Sequence, residues 1–105
     1  MNYLIVIAKG IYLITDAKSM GDTWAPEDKA LYLAYALLCR TKGEAVTSED
    51  VHDAWSLWAT LHAPEHPSLV PFEELTTEVQ AYDDTYRMAI AHVARMLPSS
   101  KLTPV

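Results

Sequence analysis

Thr47-Ser48-Glu49-Asp50-Val51-His52-Asp53-Ala54-Trp55-Ser56-Leu57-Trp58-Ala59-Thr60-Leu61-His62 carries the clearest helix signal in the chain. The Thr47 hydroxyl stands three residues before an acid, a shortened capping box that satisfies the first unpaired helix donors. Val51, Trp55, Trp58 and His62 follow at helical spacing, so a helix runs from Ser48 to about Leu61. Pro64 and Pro67 end it and open an irregular segment, Ala63 to Pro71.

Upstream, Pro26 suits the first helical position, and Glu27 and Asp28 favour the positive end of the dipole. Leu31 to Cys39 holds no charge and reads as a central helix wrapped by others. Arg40 and Lys42 suit its negative end, and Gly43 suits a left-handed stop. Downstream, Phe72-Glu73-Glu74-Leu75 turns into a last helical region, Thr76 to Leu97. Val79, Tyr82, Tyr86, Ile90, Val93 and Leu97 mark its stripe, and Asp83-Asp84 could cap a new helix, giving 77–82 and 84–97.

The first element, Asn2 to Ile14, admits two short strands about Lys9-Gly10. We take the helical reading, which puts Leu4, Ile7, Ile11 and Ile14 on one core-facing stripe. Ile5, Tyr12 and Leu13 then lie off it, so this helix is either deeply buried or covered by a partner subunit. Residues 15 to 25 read as a polar loop, and 98–105 as a frayed tail. The expected fold is all-α: one domain over 1–97, a compact bundle of four to five helices with a Pro-rich irregular loop at about 62–71.

Composition sets the limits on function. The chain has 105 residues, with 8 Lys+Arg against 14 Asp+Glu, a formal charge of −6 that repels phosphate backbones. One cysteine, Cys39, can build neither a disulfide framework nor a cysteine zinc site. Lys9-Gly10 interrupts the apolar start before it could span a membrane, and no basic stretch precedes it as in a signal peptide. The expected setting is the cytoplasm, with neither membrane nor nucleic acid as partner.

Little here suggests catalysis. His62 and His66 have the spacing of a helical zinc pair, but Pro64 between them removes the helix that would align them. We expect no metal and no cofactor. Cys39 sits in an apolar run and reads as an inert core thiol. Glu73-Glu74 and Asp83-Asp84 read as solvated faces or caps. A helix-turn-helix would use Val46 to Leu61 as its reader, yet that helix opens with Glu49, Asp50 and Asp53 where DNA would approach.

Aromatic residues leave a choice open. Trp55 and Trp58 are three residues apart and can reach the same region of helix surface. They are either core anchors or, facing the irregular segment with His62, His66 and Phe72, one wall of a slot for a flat ligand.

Val51-His52-Asp53-Ala54-Trp55, then His66-Pro67-Ser68-Leu69-Val70-Pro71-Phe72-Glu73-Glu74-Leu75, then Asp83, resembles the RyR domain. That module is repeated in the cytoplasmic shell of ryanodine receptors and occurs alone in bacteria and phages. The likeness spans 47–97. With Lys42-Gly43-Glu44-Ala45-Val46-Thr47, the pattern is also similar to small proteins of actinobacterial phages and their hosts. The resemblance implies an adenine-type nucleotide near Trp55, with His52, Trp58, His66 and Phe72 as neighbours. The receptor repeats are paired, which for a single repeat implies a homodimer.

Three readings follow. The favoured one is a non-enzymatic binding protein for an adenine-type nucleotide or signalling molecule, acting in a host cytoplasm if phage-encoded. The second is an adaptor that assembles through its apolar first helix, and the third is a DNA-binding regulator.

Overall fold

A computed structural model describes residues 2–15 and 26–97. Four helices and two single turns make up the described chain: α1 (Tyr3–Thr15), α2 (Pro26–Thr41), a turn at Gly43–Ala45, α3 (Ser48–His62), a turn at Phe72–Glu74 and α4 (Thr77–Met96). The fold is an all-α bundle, with no strand among the described residues. The expected loop over 16–25 and the tail from 98 lie outside them.

Each helix boundary has a local cause. Asn2 caps α1, its Oδ1 accepting the Leu4 N–H at 2.8 Å. Gly43 takes the left-handed conformation (φ 58°) directly after α2, where a side chain would be strained. The box at the start of α3 is complete: the Asp50 N–H donates to Thr47 Oγ1 at 3.1 Å, and the Thr47 N–H donates to Asp50 Oδ2 at 2.9 Å. Thr76 caps α4 through the Val79 N–H.

Helices α2 and α4 each pack on the other three. The core gathers Ile7, Ala8, Ile11 and Tyr12 of α1, Tyr32, Tyr35, Ala36 and Cys39 of α2, and Ile90, Val93 and Ala94 of α4. Val51 of α3 is sealed beneath them. A relay of tyrosine rings crosses the bundle: Tyr12 meets Tyr32 at 5.3 Å, Tyr32 meets Tyr35 at 5.6 Å, and Tyr35 meets Tyr86 at 5.4 Å. Edge-on and tilted pairs of this kind stabilise beyond their buried area.

Three expectations need correction. α4 is one continuous helix, and Asp83-Asp84 does not break it. Asp84 instead bonds Ser48 across the bundle and Arg87 on the next turn, and Asp83 faces His52 on α3. In α1 the buried face is Ile7, Ala8, Ile11 and Tyr12, whereas Ile14 is 44% exposed. The stripe is rotated toward Tyr12 because its ring stacks edge-on to Tyr32. Nor is α2 wrapped on all sides, since Leu37 is exposed.

Candidate functional site

A cavity of about 380 Å³ opens between α2, α3, α4 and the irregular segment. Its walls carry Leu31 and Tyr35 from α2, His52 and Trp55 from α3, and His66 and Ser68 from the segment. Val79, Tyr82, Asp83 and Tyr86 come from α4. The volume falls in the range of small-molecule sites, and the lining is largely aromatic with few polar groups, as such sites usually are.

His52 and Trp55 reach the cavity because they are three residues apart on α3 and share a face. Their rings stack at 5.7 Å with planes 20° apart. His66 meets the indole edge-on at 4.9 Å, held by the Ser68 N–H, which donates to His66 Nδ1 at 3.0 Å. A histidine before proline is biased toward extended backbone, which suits this placement. The Trp55 indole N–H has no hydrogen-bond partner among the described residues.

His52 is buried and tied through one ring nitrogen. Its Nε2–H donates to the Val70 carbonyl oxygen at 2.6 Å, and the Ser56 hydroxyl lies 3.4 Å from the same nitrogen. A carbonyl only accepts, so the Nε2 proton is assigned by this bond. That bond also pins the irregular segment to α3. Nδ1 then faces Asp83 Oδ2 at 3.7 Å, too long for a hydrogen bond.

Asp83 is the unexpected member. Its Oδ2 is buried with no hydrogen-bond partner. Burial pushes the carboxyl above the usual carboxylate range, and the charge of His52 opposes that shift. Its neighbour Asp84 is the solvated one. Arg87 Nε donates to Asp84 Oδ1 at 2.6 Å, and this bond chiefly holds the Asp84 carboxyl below its ordinary value. The Ser48 hydroxyl donates to the same oxygen at 3.2 Å.

Of the five residues expected at the slot, His52, Trp55 and His66 come together there. Phe72 does not line it; its ring lies behind His52 at 6.2 Å. Trp58 is elsewhere altogether. Its Nε1–H donates to the Glu27 carbonyl at 2.7 Å, tying α3 to the start of α2. His62 stacks on its other side at 4.9 Å, and the His62 Nδ1–H donates to the Trp58 carbonyl. Thus His62 and His66 serve different tryptophans. Among the described residues no three His, Cys, Asp or Glu side chains gather as a metal set would.

A family model described as a domain of unknown function (DUF7701) matches residues 2–95. The chain belongs to that family. No curated protein and no solved structure matches it. The family match covers all but the last two described residues and every residue lining the cavity, so the site belongs to the family's domain and not to an appendage.

Two further features complete the picture. Burial pushes the Cys39 thiol up to about 11, which keeps it protonated and unreactive. No described helix is long and apolar enough to cross a membrane.

Proposed function

We propose that the protein is a small non-enzymatic binding protein that holds a flat ligand in the cavity beside Trp55. The carrying observation is the pairing, in one cavity, of an indole with an unused N–H and the carboxyl group of Asp83. Buried or partly buried Trp N–H groups normally find a partner, as Trp58 does. An adenine-type base, with ring nitrogens that accept and an exocyclic amine that donates, suits a site offering one donor and one acceptor. The resemblance to the RyR domain points to the same ligand chemistry and to a cytoplasmic, phage–host setting. Recognition would go through the base, because no Lys or Arg lines the cavity among the described residues.

Titration with adenosine and adenine nucleotides, followed by tryptophan emission, tests this reading. Binding should quench the emission, and Trp55→Phe should weaken binding while the protein stays folded. Silence from every ligand up to millimolar concentration would reduce Trp55 to a packing residue.

A second reading rests on its own observation. Tyr3, Val6, Leu13 and Ile14 of α1 and Met96 of α4 are all more than two-fifths exposed. An apolar groove runs between these two helices, lined by Val6, Ile14, His92 and Met96 among others. Such a surface suits assembly, and a homodimer through it is the simplest form. Light scattering at micromolar concentration should then report about twice 11.7 kDa, and a clean monomer would remove the reading.

A further inference from the structure

The cavity combines three kinds of group that together select for charge. Trp55, Tyr82 and Tyr86 present aromatic surface, which attracts cations through the negative face of the ring. Asp83 contributes a carboxylate to the lining: its Oδ2 is sealed against His52, and its Oδ1 has no hydrogen-bond partner among the described residues.

The third feature is that no Lys or Arg lines the cavity among the described residues. Arg87, one turn along α4 from Asp83, is engaged by Asp84 at 2.6 Å. His52 faces Asp83, but at 3.7 Å and with its Nε2–H spent on Val70. The chain as a whole carries a formal charge of −6, which raises the local concentration of cations and lowers that of anions.

We propose that the ligand class is an organic ammonium ion with a flat or aromatic body, its charged nitrogen held by Asp83 and its body against Trp55 and Tyr86. The proposal rests on the cavity being a site for a flat ligand and, in place of an adenine-type base, names a positively charged one. A charged donor gives Asp83 a stronger, shorter hydrogen bond than a neutral amine could. A phosphate in the same cavity would meet the carboxylate with no counter-charge beside it.

The test compares phenethylamine with its neutral isostere 2-phenylethanol by isothermal calorimetry on the full chain near neutral pH, where the amine is charged. The amine should bind about ten-fold more tightly. Asp83→Asn should erase that preference, whereas Asp84→Asn, which removes an equal charge one residue away, should keep it. Circular dichroism confirms that each variant is folded. Equal binding of amine and alcohol, or a preference that survives Asp83→Asn, overturns the proposal. Adenosine binding without amine binding would overturn it too, while leaving the ligand-binding reading intact. No binding by any of the three would remove both.

Discussion

His52 and Asp83 stand 31 residues apart in the chain and 3.7 Å apart in the fold, Nδ1 against Oδ2. The Val70 carbonyl decides that Nε2 carries the imidazole proton, so Nδ1 is the nitrogen turned to the acid. The bundle therefore holds a polar pair that packing alone does not require.

Asp83→Asn should leave the melting temperature at neutral pH unchanged or higher. The native carboxyl is raised, so its favourable contribution is complete below the ordinary carboxylate value and is lost as pH rises through the native one. Above that value the ionised, buried side chain is a cost, which the amide removes. A clear drop in melting temperature would assign Asp83 a structural role instead.

Mild acid should weaken amine binding before it unfolds the protein. Protonating Asp83 takes away the acceptor and the charge at once. Calorimetry repeated on stepping down from neutral pH checks this, and an affinity that stays flat would contradict it.

Trp55 and Trp58 should separate cleanly. Trp58→Phe loses the bond to the Glu27 carbonyl and should cost about 0.5–1.5 kcal/mol in denaturant unfolding, with ligand affinity unaffected. Trp55→Phe should do the reverse. The difference was not readable from spacing. Three residues apart on a helix means the same broad side, but here one ring lines the cavity and the other bonds the start of α2.

Ile11→Ala should cost about 2–5 kcal/mol, because Ile11 is fully buried. Ile14→Ala, at an exposed position, should stay within about 0.5 kcal/mol. Chemical denaturation measures both. A large loss at Ile14 alone would restore the stripe that periodicity favoured, or place that residue in an interface.

Signals that act within a few residues were legible beforehand: the Thr47 box, the Gly43 stop, the acids at the start of α2, the prolines that free Ala63 to Pro71. They depend on local hydrogen bonds and backbone angles, which the sequence encodes directly. α1 was harder, since a helix apolar on two sides has no unique buried stripe, and the Tyr12–Tyr32 contact settles its rotation from outside. Asp83 was hardest. Two adjacent acids read as a cap, and only the approach of α3 distinguishes the one facing His52 from the one facing Arg87. Tyr35 and Tyr86 were likewise counted as packing and found to serve both packing and the cavity wall.

The seating of α1 against α4, where Gly10 meets Val93, also governs how the chain can be made. Ile7, Ala8 and Ile11 leave the ribosome well before Ile90, Val93 and Ala94, the α4 partners that close over them. α2 can cover one side of α1 as soon as it emerges, with Tyr32 against Tyr12, but the other side stays open until α4 is made. A stop codon anywhere before Ile90 would leave a sticky fragment in place of a shortened domain.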